Sequence, residues 1–283
     1  MTRALTATAL VLMCTATAAV QPSPPFPSPG ELARRLRQAV RLDYQLQQDF
    51  TYVEHRRDVK ISKLGRVTIG PLRTFQVIPS PVSGQTYKRL IAIEGTPLAP
   101  DELARRDAEH ERDARAALAR EQRESPAHRA ERVRNDTEAQ RQREAILDDA
   151  FRVFEATIVR RDWVDEMPVL VARMRPRPGA EPLTREGRWM THFEGELWAA
   201  EGDAQIVRID MRATSDVTIG WGVVGRIHKG SRVLYARRHF ENAWLPAETT
   251  YEASGRTMIF RPFRFNVTTT YSNYKRRDKT VNH

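Results

Sequence analysis

Cysteine is almost missing from this 283-residue chain, with Cys14 as its single example. That residue lies in MTRALTATALVLMCTATAA, residues 1–19, where an early Arg, a short apolar run from Leu10 to Met13 and small residues near Ala18 and Ala19 have the form of a secretory signal peptide. Cleavage there leaves a mature chain without a thiol, so neither disulfides nor cysteine-held metals are expected. Met13 precedes Cys14 where a lipid-attachment site needs a small residue, which weighs against a lipid anchor. Long apolar runs are also missing beyond the signal, so no transmembrane segment is expected. Nor is there an H-E-x-x-H, a G-x-S-x-G elbow or a compact histidine pair, and the sequence calls for no metal, no cofactor and no catalytic residue. Carboxylate pairs such as Asp148-Asp149 and Asp165-Glu166 read as solvated faces rather than as an acid and base sharing a cleft. Charge of one sign is never concentrated: 46 Lys plus Arg against 36 Asp plus Glu give +10, but the basic residues are dispersed among acids, as in EHRRD at 54–58. A dispersed excess is a poor nucleic-acid footprint, and no nucleic-acid partner is expected.

What is present begins with a Pro-rich leader, residues 20–30, with no reason to pack. The spacing of Leu32, Leu36, Val40 and Leu42 to Leu46 predicts an amphipathic helix over 31–48. Strand sequence follows at 50–61, 67–79 and 86–95, broken by turn residues as in an antiparallel meander. From Asp101 to Asp149 the character changes, with 25 charged residues among 49 and no aromatic. Glu102 with Arg106 and Glu111 with Arg115 have helix-supporting spacing, and Ser125-Pro126 reads as a cap that divides the segment into two helices. Ile146, Leu147, Ala150, Phe151 and Phe154 then form the apolar stripe by which a solvated helical hairpin docks onto the body. After Ala156 the pattern is sheet, including 168–174, 190–198, 205–212, 231–240 and 263–271, with apolar residues on one side and polar ones on the other. An apolar sheet face needs a cover, and the helices near 31–48 and 140–155 are the available ones.

The stretch Gly220-Trp221-Gly222-Val223-Val224-Gly225 matches the G-x-G-x-x-G spacing of a dinucleotide site. Pyrophosphate binding needs a helix N-terminus directly after the glycines, whereas RIHKGSRVLYARRHF continues as turn and strand. The glycines instead predict a turned hairpin loop that presents Trp221, Val223 and Val224 as an apolar lip. Trp198, Phe263 and Phe265 are the candidate linings of a cavity on predicted strands, although a filled core uses the same aromatic supply.

The order of features, with ELWAAEGDAQIVRID at 196–210, WLP at 244–246 and YSNYK at 271–275, resembles the periplasmic lipoprotein carrier and sorting superfamily, including its lipoprotein-sensor relatives. The resemblance implies an α+β fold in which a strongly curved antiparallel sheet, a half-open barrel, is covered by helices around an acyl-chain cavity. One domain is expected at 31–277, interrupted by the charged helical hairpin at 101–155 and followed by a polar tail at 278–283. The resemblance further implies a non-enzymatic protein of the periplasm that binds, transports or senses a lipid or lipidated protein. The charged segment 101–149 departs from that pattern and keeps an alternative open: an envelope interaction or assembly module with no lipid ligand.

Overall fold

A computed structural model describes residues 25–47, 49–62, 66–80, 86–219, 225–257 and 261–277. The predicted signal peptide and the predicted tail at 278–283 lie outside these residues. The first helix, α1 (Pro29–Gln47), begins where Ser28 Oγ accepts the Glu31 N–H at 3.2 Å and Pro29 takes an early position with no N–H to satisfy. Leu32, Leu36 and Ala39 recur at helical spacing and are buried.

The first meander follows as β1 (Phe50–Ile61), β2 (Val67–Pro79), β3 (Thr86–Ile93) and the two-residue β4 (Thr96–Pro97). Two helices come next, α2 (Pro100–Gln122) and α3 (Pro126–Val153). The Ser125 side chain accepts the His128 N–H, so the break between them is a side-chain cap followed by Pro at the first helical position. The second series is β5 (Phe154–Val164), β6 (Met167–Pro176), α4 (Arg185–Met190), β7 (Phe193–Ala200), β8 (Ile206–Ala213), β9 (Val217–Ile219), β10 (Gly225–Ile227), β11 (Arg232–Phe240), β12 (Ala243–Thr257) and β13 (Arg261–Arg276).

These strands form one antiparallel sheet in the order β4-β3-β2-β1-β13-β12-β11-β8-β7-β6-β5, with β9 and β10 off that path. The last strand pairs with the first, so β1–β13 joins the two meanders. The sheet is not closed, and β4 and β5 stand at its opposite edges. Because α2 leaves β4 and α3 enters β5, the charged helices are the connection from one edge to the other.

The two faces of β6 to β8 differ. Leu170, Ala172, Leu197 and Ala199 lie on the face that meets Leu32 and Leu36 of α1. On the other face Arg173, Glu196 and Asp210 are direct cross-strand neighbours, and Arg160 and Arg232 extend the ladder through bonds to Glu196 at 3.0 Å and Asp210 at 2.7 Å. The Arg232 guanidinium holds the Asp210 carboxyl below its ordinary range.

The sequence reading errs at two places here. Residues 190–198 are not one strand: α4 ends at Met190 and β7 starts at Phe193. Phe154 opens β5 rather than closing a helix, although it stays in line with the apolar stripe of α3.

Candidate functional site

The helix-facing side of the sheet does not fill completely. A cavity of about 520 Å3 lies between it and α1, α3 and α4. Its floor comes from two cross-strand rows. Leu197 and Ile209 are direct partners in one, with the fully packed Ala172 beyond Leu197; Met174, Gly195, Met211 and Val233 are direct partners in the other. Gly195 contributes no side chain to the second row. A Cβ there would lie 1.9 Å from the Asp210 carbonyl oxygen, so the close approach of β8 requires glycine and leaves a gap between two methionines. The roof is built from helical i, i+3, i+4 sets: Leu147, Ala150 and Phe151 from α3, and Glu186, Trp189 and Met190 from α4, beside Leu36 and Val40 of α1. Among the lining residues Glu186 alone is charged. The volume lies within the roughly 300–1,000 Å3 usual for small-molecule sites.

The roof is held by Asp149, which is fully buried near the end of α3. Its carboxylate accepts the Leu183 N–H at 3.0 Å, the Thr184 N–H at 2.6 Å and the Thr184 hydroxyl at 2.7 Å, and Arg152 donates at 2.9 Å. Burial pushes the Asp149 carboxyl up, but the Thr184 and Leu183 donors and the Arg152 charge outweigh it and hold the group below the ordinary carboxylate range. Thr184 in turn caps α4 through the Gly187 N–H. A Cβ on Gly187 would sit 2.3 Å from Asp149 Oδ2, so a glycine is what lets α4 approach. Asp149 is therefore a structural clamp, not the solvated carboxylate its neighbour Asp148 suggests.

Of the residues singled out from sequence, Trp198 is buried at β7 but points away from Leu197, as successive strand residues do. It packs with Val169, Val171, Val207 and Trp244 on the other side, beneath the guanidinium groups of Arg160 and Arg208. Phe263 and Phe265 are half-buried on β13, stacked with centroids 5.8 Å apart. They share the face of Val267, which connects through Tyr251 to Val233 at the cavity floor. None of these three lines the cavity described above. Trp221, Val223 and Val224 lie outside the described residues. Around them, Ile219 of β9 pairs with Gly225 of β10, and Gly225 opens a strand, so the helix that a pyrophosphate site needs does not follow the glycines. Glu186, Met190 and Val233 are among the lining residues that sequence alone did not single out.

A second hollow of about 510 Å3 lies between β2, β3 and α2, but its lining is mixed and its cations Arg73, Lys88 and Arg106 are paired. Lys88 pairs with buried Glu54 at 2.7 Å, Arg73 with Asp58 at 2.7 Å and Arg106 with Glu102 at 2.8 Å. Beside Glu54, burial and then that carboxylate's charge push the Tyr52 phenol up to about 12. At the nearby edge α2 docks on β3, where Asp107 accepts from Tyr87 and Arg89 and His110 stacks on Tyr87 at 3.8 Å. The described residues hold no cluster of three or more His, Cys, Asp or Glu able to bind a metal, and none of their helices is long and apolar enough to cross a membrane.

An open antiparallel sheet with an apolar cavity under helices is thus the class of structure defined. No family model matches the chain, and no curated protein matches it. Among solved structures, a LolA superfamily protein from Nitrosomonas europaea aligns at 9% identity and TM-score 0.29, over 89% of this chain and 95% of that one. A DUF1329 family protein from Desulfovibrio piger aligns at 10% identity and TM-score 0.29, over 90% and 93%. MucB, solved in complex with MucA(peri), aligns at 9% identity and TM-score 0.22, over 89% and 100%. These neighbours include the superfamily that the sequence resembles.

Proposed function

We propose that this protein is a non-enzymatic carrier or sensor that binds an acyl chain, from a lipid or a lipidated protein, in the bacterial envelope. The observation that carries the reading is the cavity whose floor and roof are apolar apart from Glu186. Burial of an acyl chain there contributes about 0.8 kcal/mol per methylene, so affinity needs no elaborate polar recognition. The signal-like residues 1–19 support secretion to the periplasm with cleavage near Ala19 to Gln21. In this reading residues 31–277 are one domain, the sheet curves as a half-barrel around the ligand, and α2 and α3 form a charged hairpin that joins its edges.

The test uses a fluorescent long-chain fatty-acid probe and two neighbouring substitutions. Met211→Glu places a charge on the cavity floor and is expected to weaken probe binding at least about tenfold, whereas Arg212→Glu, on the next residue and the opposite face, leaves it within about twofold. Equal effects of the two, with both variants folded, would show that the probe binds elsewhere.

A second reading, docking of an envelope protein through the charged segment, is favoured by one observation: every residue from Ser125 to Glu144 is exposed. Pull-down from envelope extract with the intact protein and with Arg134→Glu/Arg141→Glu separates this reading from lipid binding, because both side chains are exposed and neither lines the cavity.

A further inference from the structure

Leu183 is the most exposed large apolar side chain among the described residues, at 74%, and no slack loop holds it there. Its own N–H and that of Thr184 donate to buried Asp149, and Pro182 lies against Gly187 of α4. Upstream, the Arg177 N–H donates to the Val153 carbonyl at 2.7 Å, and the Ala180 N–H donates to the Arg177 carbonyl at 3.2 Å. A backbone tied down on both sides therefore presents a leucine to water just outside the cavity roof. One exposed leucine alone needs no explanation. Its neighbours supply one. The short helix α4 gives Glu186, Trp189 and Met190 to the cavity and leaves Arg185 and Arg188 exposed. Arg152 donates to the same Asp149 oxygen that accepts the Leu183 N–H, and Arg177 is exposed where the loop begins. Arg152 and Arg185 are paired with Asp149 and Glu186, whereas Arg177 and Arg188 form no ion pair among the described residues.

Trp163 is the comparable apolar group, 69% exposed at the opposite end of the β5–β6 ladder, where Trp163 faces Pro168 and Phe154 faces Pro176 at the other end. It stands among Asp162, Asp165 and Glu166, and Arg161 beside it is paired with Glu201. Two exposed apolar residues thus sit in surroundings of opposite charge.

We propose that the α3–α4 end of the molecule docks on an anionic phospholipid surface, with Leu183 entering the headgroup layer and Arg177 and Arg188 meeting lipid phosphates. Cations around a protruding apolar side chain match the layering of such a surface, charged outside and apolar beneath. A neutral bilayer lacks the charge, and the acidic Trp163 end is repelled by it. The inference goes beyond cavity binding, because it uses the outer side of the roof and none of the lining. It sets the elements that cover the cavity against the membrane.

The experiment is sedimentation of sucrose-loaded vesicles with protein purified without detergent from its own envelope. One set of vesicles is equimolar phosphatidylglycerol and phosphatidylcholine; the other is phosphatidylcholine alone. Wild type is expected to partition at least about tenfold more strongly onto the anionic vesicles, and less strongly as salt is raised. Arg177→Glu/Arg188→Glu should weaken that partition at least about tenfold and Leu183→Ser at least about threefold, while Trp163→Ala leaves it within about twofold. No preference of wild type for anionic vesicles, or equal partition of wild type and all variants, overturns the docking surface. A dimer in solution that Leu183→Ser dissociates assigns the patch to a second copy of the chain and overturns it as well. Thermal melts verify that each variant is folded. None of the substituted residues lines the cavity, so binding of the fatty-acid probe by the same proteins reads the acyl-binding function separately from the docking.

Discussion

The two ends of α3 share one helix and differ in everything else. From Pro126 to Glu144 each residue is exposed, and the visible support is local: the Ser125 cap and the reach of Arg132 to Glu124 at 2.9 Å and Glu121 at 3.4 Å. From Leu147 to Val153 the same helix supplies the cavity roof, and Asp149 and Val153 are fully buried. Charge content alone does not separate these regions, since a carboxylate is the most deeply bonded group of the second. The difference lies in whether a partner with complementary donors stands opposite, as the Leu183–Thr184 backbone does for Asp149. A solvated charge contributes little to stability, while a buried and fully bonded one is expensive to disturb.

The largest effect is expected at the clamp. Asp149→Ala leaves the Leu183 and Thr184 N–H groups and Arg152 without their buried acceptor, and should cost about 3 kcal/mol, a fall in Tm of roughly 6–12 °C by calorimetry. The pH dependence follows from the depressed carboxyl of the folded protein. Asp149 contributes its stability above the ordinary carboxylate pKa of about 4, and that contribution is lost as pH falls through the lower folded value. Asp149→Ala should therefore show a shallower loss of Tm between about pH 5 and pH 2 than wild type.

Gly187→Ala tests the same contact from the other side. Its Cβ forces α4 away from Asp149, with an expected cost of about 2 kcal/mol in denaturant unfolding and weaker binding of the fatty-acid probe as Trp189 and Met190 shift. Ser125→Ala should cost about 1 kcal/mol of local helix stability, visible as faster amide exchange over 126–132 with little change in global Tm. Smallest of all, Arg134→Glu/Arg141→Glu should move Tm by no more than a degree or two, because neither side chain is buried. A large loss from that pair would abolish the contrast between the two ends.

Much of this organisation was legible in the sequence, for reasons that differ by element. The alternation in FRFNVTTTY and QIVRIDMR lies within β13 and β8, the spacing of Leu32 and Leu36 lies within α1, and Ser125-Pro126 separates α2 from α3. Each is a local pattern written in one segment. What escaped depends on contacts across segments. The six residues of α4 are too few to show a period, and Phe154 extends a helical stripe although the backbone has already become strand. Asp149 looks like Asp148 until Thr184 is brought beside it. The cavity floor is likewise a cross-strand property: Leu197 faces it and Trp198 does not, but both are buried, so hydrophobicity along β7 could not choose between its faces. Phe263 and Phe265 were drawn by the same aromatic signal to a strand beyond the cavity lining.

The proposed function requires an acyl chain in the space under α1, α3 and α4 when the protein is in the envelope. Native mass spectrometry with lipid extraction, on protein purified without detergent from its own envelope, measures this directly. A stoichiometric acyl-bearing adduct, diminished in Met211→Glu and retained in Arg212→Glu, is expected; a clean apo mass for the wild type, under conditions that preserve known lipid complexes, would contradict the acyl-binding function.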